Sequence, residues 1–233
     1  MAVGAVVVVG GTQGLGRELA QSYADEGREV IVSGRDQSRA DAAAKEIGGT
    51  TRGLGFDLAA PHTIAGALEG VDEVEHLVLA AIERDVNKVV EYDSDKALRL
   101  VTMKLVGYTE VVHALALRLR PESSILIYGG LARDRPYPGS TTVTTVNGGV
   151  TSLVNALLTQ LAPVRVNAIH PGIVGDSPQW RDMAPERHKA LVDRTPIGRL
   201  VTMAESMSAA RFLLENAGVN GVNLALDGGW MCM

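Results

Sequence analysis

The chain has 233 residues, 46% of them hydrophobic and only 4% aromatic, and its 26 glycines are spread along the whole length, which suits one compact α/β domain over residues 1–233. Its 22 basic and 27 acidic residues are well mixed, with a formal net charge of -5, and this excludes an extended basic face and nucleic acid as the main partner. The single cysteine, Cys232, excludes an internal disulfide, and the apolar runs have strand or helix-face length with no cleavage-site pattern, so the expected setting is the reducing cytoplasm, away from membranes.

The first element is a β-branched run, Ala5–Val9, bounded by Gly10 and followed by a helical pattern over Leu15–Glu26. Strand and helix signals then alternate: strand Glu29–Ser33, helix Ser38–Ile47, strand Arg52–Phe56, a short helix near Thr63–Leu68 and strand His76–Ala81. A long helix follows over Lys96–Leu119, then strand Ser124–Tyr128, helix Val143–Leu161, strand Val164–Ile169, helix Met203–Glu215 and strand Val222–Leu226. Crossovers of this length return the chain in the same direction, so the fold class is α/β: a single-domain Rossmann-like doubly wound sheet of seven mainly parallel strands flanked by helices on both faces. Residues 175–198, rich in charge and proline, form a lid-like excursion in which Trp180 and Met183 are expected to line a pocket.

Between the first strand and the first helix stands VVVVGGTQGLGREL, with Gly10, Gly14 and Gly16 spaced by Thr12, Gln13 and Leu15. Backbone without side chains can approach a pyrophosphate there, and the helix start presents unpaired N–H groups to the negative charge. The second strand ends VIVSGRD. Gly34 stands where a carboxylate would hold a free ribose diol, and Ser33 and Arg35 beside it suit an additional phosphate, which selects NADP(H) over NAD(H).

The Gly-x-x-x-Gly-x-Gly spacing, FDLAA with Asp57, RVNAIHPGIV over 165–174, and the closing PIGRLVTMAESMSAARFLLENAGVNGVNLALDGG together resemble the short-chain dehydrogenase/reductase family over the whole chain. The resemblance implies an oxidoreductase of a small-molecule substrate. It also implies an adenine contact at Asp57, cofactor contacts at Leu58, Ala80, Ala81, Pro171, Gly172 and Ile173, and a homodimer or homotetramer built through the Lys96–Leu119 and Val143–Leu161 helices.

Family members move a hydride while a tyrosine, assisted by a lysine, handles the proton and a serine holds the substrate oxygen. Aligned on RVN, the tyrosine position is Val143 and the lysine position is Asn147; no tyrosine follows Tyr137 and no lysine lies between Lys104 and Lys189. The serine falls among Gly129 and Gly130, the asparagine of the preceding helix is replaced by Lys104, and the Asn-Asn-Ala-Gly loop is changed to LAAI, Leu79–Ile82. No catalytic residue is therefore assigned. Tyr128, Tyr137, Lys104 and His170 are the available proton donors, and each also reads as an ordinary packing, solvated or paired residue. Three functions follow: an NADPH-dependent oxidoreductase with unusual proton supply, a catalytically inactive NADPH-binding sensor or partner, and a non-redox isomerase or cyclase on the same fold.

Overall fold

The structure is a computed structural model and describes residues 4–83 and 85–233. Strands β1 (Ala5–Val9), β2 (Val30–Gly34), β3 (Thr51–Gly55), β4 (Val74–Leu79), β5 (Leu119–Tyr128), β6 (Arg165–Pro171) and β7 (Asn223–Leu226) form one sheet in the order β3-β2-β1-β4-β5-β6-β7. All neighbouring pairs are parallel. The helices are α1 (Gly14–Asp25), α2 (Gln37–Ile47), α3 (Ile64–Ala67), α4 (Ser94–Val101), α5 (Tyr108–Leu115), α6 (Thr141–Gln160), α7 (Pro185–Val192) and α8 (Met203–Glu215).

Two apolar layers sandwich the sheet. Val7 and Val9 of β1 pack with Met103, Tyr108, Leu115 and Val150 on one face, while Val6 and Val8 pack with Leu19, Tyr23, Ala210 and Leu213 on the other. Both faces are covered, so β1 reads in sequence as an unbroken valine run instead of an alternating one. The order of connection reverses between β1 and β4, which opens a crevice at the carboxyl ends of the central strands.

Three elements depart from the sequence expectation. The long helix is interrupted: Asp93 accepts from the Lys96 N–H to start α4, a π-helical turn over Thr102–Gly107 widens the rod, and α5 resumes after it. At Gly107 a Cβ would lie 2.2 Å from the Leu58 carbonyl oxygen, so only glycine lets the rod approach that loop. The rod Ser94–Arg118 has the length and apolarity of a bilayer span, yet Met103, Tyr108, Val111 and Leu115 within it are buried against the sheet.

β5 begins at Leu119 and not at Ser124, because the register jumps from Val74–Leu119 to His76–Ser124 and leaves room for Pro121; Ser123 Oγ donates to the Val74 carbonyl where the ladder is interrupted. In the excursion, α7 went unread because none of its residues is buried and the stretch carries no apolar stripe. α8, by contrast, begins where expected: Thr202 and Glu205 form a reciprocal capping box.

Candidate functional site

A cleft of about 1110 Å³ lies over the crevice, and all the residues assigned to the cofactor from the sequence line it. Its first wall is the loop after β1. Gly10 has φ +84°, and a Cβ there would lie 2.5 Å from the Ala81 Cα; a Cβ on Gly16 would lie 2.6 Å from the Gly10 carbonyl oxygen. These two glycines let the ends of β1 and β4 and the start of α1 meet backbone to backbone. Gly14 is required for a different reason: φ +58° with nothing near its missing side chain. The N-cap of α1, Gln13, makes no side-chain capping bond and the first turn holds no acid, so the leading N–H groups of α1 keep their capacity for an anion. Thr12, Gln13 and Leu15 complete this edge.

The second wall follows β2. The Ser33 carbonyl accepts from the N–H groups of Gly10 and Gly11, tying β2 to the glycine-rich loop after β1. A Cβ at Gly34 would lie 2.8 Å from Thr12 Cγ2, so a larger residue at this position requires the Thr12 side chain to shift. The carboxylate that follows in the chain, Asp36, is occupied: it accepts from the Arg39 N–H at 3.0 Å and the Ser38 hydroxyl at 2.6 Å, capping α2. The Ser38 bond, followed by the backbone bond, holds its pKa below the usual carboxylate range. Arg35 is exposed, with its guanidinium 3.6 Å from Glu83, and Arg39 joins it on the cleft. Sequence reading overlooked Arg39; its position four residues after Arg35, in the first turn of α2, was the available signal.

Asp57 and Leu58 line the cleft beyond β3. The Asp57 carboxylate accepts from the Ala59 N–H and pairs with Arg99 at 3.1 Å, while Arg99 also reaches Glu83 at 2.9 Å. Burial works to raise the Asp57 pKa, but the Ala59 bond and the Arg99 guanidinium outweigh it and keep the group ionised.

The far end of the cleft is formed by Ala80, Ala81, Gly129, Gly130 and the turn Pro171–Gly172–Ile173, with Val143, Val146 and Asn147 of α6 facing in. Lys104 lines it too. Its Nζ donates to the Tyr128 carbonyl at 2.6 Å and to the Tyr108 hydroxyl at 3.3 Å, and Tyr108 passes its own proton to the Ala81 carbonyl at 2.6 Å. The Tyr108 phenol is a brace between the π turn and the β4 loop; burial raises its pKa well above the ordinary value, so it does not replace the missing acid. Gly130 sits so close to α6 that a Cβ would lie 2.9 Å from Asn147 Nδ2.

The other candidate donors fare unequally. His170 is fully buried beneath the glycines and is not among the cleft residues: its Nδ1 accepts from the Gly130 N–H at 3.1 Å and its Nε2 faces Asn223 Oδ1 at 3.0 Å. Burial, against the opposing Asn223 bond, lowers its pKa to about 4, so it is neutral at physiological pH. It explains Gly129, where a Cβ would stand 2.3 Å from the imidazole. The Tyr128 phenol is packed in the core with its pKa raised by burial. Tyr137 is half exposed and lines the cleft, as does Trp180 of the excursion; Met183 does not. Asp85, unassigned from the sequence, also lines it: 8% exposed, with Oδ2 bonded to Asn87 and Oδ1 without a partner among the described residues.

A doubly wound parallel sheet with a glycine-lined crevice at its switch point defines the class of dinucleotide-binding α/β proteins. The chain belongs to the short-chain dehydrogenase/reductase family of oxidoreductases, which use NAD(P)(H): residues 9–231 match the family model described as enoyl-(acyl carrier protein) reductase. It is 30% identical over 230 residues to human 3-oxoacyl-[acyl-carrier-protein] reductase, with 95% of each chain covered. It is 29% identical over 249 residues to L-rhamnose 1-dehydrogenase (NAD(P)(+)) of Azotobacter vinelandii, covering 96% of this chain and 95% of that one. Among solved structures, the glucose/ribitol dehydrogenase-type family member from Brucella melitensis superposes with a TM-score of 0.87 at 25% identity, covering 97% and 96% of the two chains.

Proposed function

We propose that this protein binds NADP(H) in preference to NAD(H) and transfers a hydride between the nicotinamide and a small carbonyl or alcohol substrate. The observation that carries the cofactor choice is the end of β2, where Arg35 and Arg39 face the cleft, Asp36 next to Arg35 in the chain is spent on capping α2, and the cleft carboxylates Asp57 and Glu83 are paired with Arg99. Gly10, Gly14, Gly16 and the open start of α1 suit the pyrophosphate, and the cradle has no room for side chains at Gly10 and Gly16. Bound NADPH supplies the hydride. Ala80, Ala81, Pro171, Gly172 and Ile173 hold the reactive end, and the excursion with Trp180 covers it. The exposed Leu98, Val106 and Leu117 on the rod Ser94–Arg118 support assembly into a homodimer or homotetramer through that rod and α6.

Kinship with reductases supports turnover. The apolar Val143 and uncharged Asn147, where the resemblance expects a phenol and an ammonium, favour a second reading in which the nucleotide is bound without chemistry. The test is turnover: NADPH-loaded protein is offered ketones, quinones, enones and 3-oxoacyl thioesters while absorbance of the reduced nicotinamide is followed. Loss of absorbance with an alcohol or saturated product is expected. Retained NADPH with no consumption across the panel would establish the second reading, and a rearranged product beside unoxidised cofactor would establish a non-redox enzyme.

A further inference from the structure

We propose that Lys104 is the proton donor of this cleft, an inference that rests on the oxidoreductase reading and names the acid it lacks. The side chain is 4% exposed and lies on the cleft wall, where the π turn swings it over the end of β5. An ammonium carries three N–H donors, and the protein supplies two acceptors, the Tyr128 carbonyl and the Tyr108 hydroxyl, so one proton is left for whatever occupies the cleft. Among the described residues no carboxylate is paired with it. A buried, unpaired cation is costly to keep, and such groups collect at reacting centres.

The titratable groups packed around it are Tyr108 on its own rod, Tyr128 on β5 and His170 on β6. Both phenols are raised by burial, and His170 is held neutral chiefly by burial, the Lys104 charge being a minor contributor. Asp57, Glu83 and Asp85 face the same cleft, the first two already engaged by Arg99. Burial lowers the Lys104 pKa to about 7, where an ammonium gives up a proton readily at physiological pH. Asn147 opposite makes no side-chain hydrogen bond among the described residues and offers its amide to the substrate oxygen.

A bound reduced nicotinamide would supply the hydride for the new C–H bond at the carbonyl carbon and would itself end oxidised. The Lys104 ammonium gives its proton to the carbonyl oxygen as the C=O π electrons move there, the product is the alcohol, and the neutral amine regains a proton from solvent water.

The chain has five lysines, so protein labelled with ¹³C at lysine Cε gives a readable titration, with Lys104 assigned from its disappearance in Lys104→Met. A resonance titrating near 7 and moving when NADPH is added supports the proposal. So does turnover that falls as pH rises through that value, and a rate loss of about 100-fold or more in Lys104→Met and Lys104→Gln with NADPH affinity kept. Titration at the ordinary lysine value of about 10.4, or undiminished turnover in either folded variant, overturns it. Wild-type protein that binds NADPH and turns over nothing overturns the oxidoreductase reading and the proposal together; turnover unchanged by the substitutions overturns the proposal alone.

Discussion

The two ends of the cleft are built from different materials. At the end formed by β1, β2 and β3, the tightest contacts run backbone to backbone, Gly10 against Ala81 and Gly16 against Gly10, with Gly34 packed on the Thr12 side chain and the charges of Arg35, Arg39 and Arg99 near solvent. At the end formed by β4, β5 and β6, side chains set the chemistry, and they are buried: Lys104, Asn147 and, beneath the floor, His170. Backbone recognition depends on the absence of a Cβ, which leaves few substitutions open. Side-chain chemistry depends on one functional group reaching one point, and a group on another helix can reach the same point. Here the ammonium comes from the rod beside α6 and not from α6 itself.

Gly10→Ala places a Cβ into the Ala81 backbone at positive φ, and we expect a loss of about 2–5 kcal/mol with nucleotide binding abolished, read by chemical denaturation and NADPH fluorescence. Retained binding in that variant would break the backbone account of the first end. Arg35→Asp should weaken NADPH by about 10–100-fold, the value of a charge-assisted contact, and leave NADH nearly unchanged; equal losses would show that the arginine does not meet the additional phosphate.

Lys104→Met should raise thermal stability, because it removes a buried charge with no ionic partner. The same lysine gives a signed pH effect. Its folded pKa, about 7, lies below the unfolded value, so between the two the unfolded chain binds more protons and folding gains stability as pH rises. Denaturation midpoints should therefore climb from pH 7 toward pH 10 in wild type relative to Lys104→Met; parallel curves would show that the lysine is not perturbed. Gly14→Ala is the smallest change, about 1 kcal/mol, since its φ is left-handed but its surroundings are open.

How far the sequence disclosed this contrast follows from the same physics. The glycine cradle was legible because glycine spacing reports backbone geometry directly, and β1 and the start of α8 were legible because valine runs and the Thr202–Glu205 box are local signals. β5 started late in the reading because Pro121 looks like a boundary, although the bulged ladder accommodates it. The π turn left no mark on the apolar periodicity of the long helix, so Lys104 read as an ordinary helix lysine when it is buried over β5. The occupation of Asp36 by the α2 cap and the turning of Arg39 onto the cleft are properties of a local hydrogen bond and a helix face, visible only once both are placed.

The proposed cradle is expected to hold the phosphorylated nucleotide in preference to the unphosphorylated one. Parallel titrations of the wild-type protein with NADPH and NADH, followed by fluorescence or calorimetry, separate the outcomes. Saturable NADPH binding with NADH weaker by about tenfold or more is the expected result; failure of both nucleotides to bind, or equal affinity for the two, would rule that selectivity out.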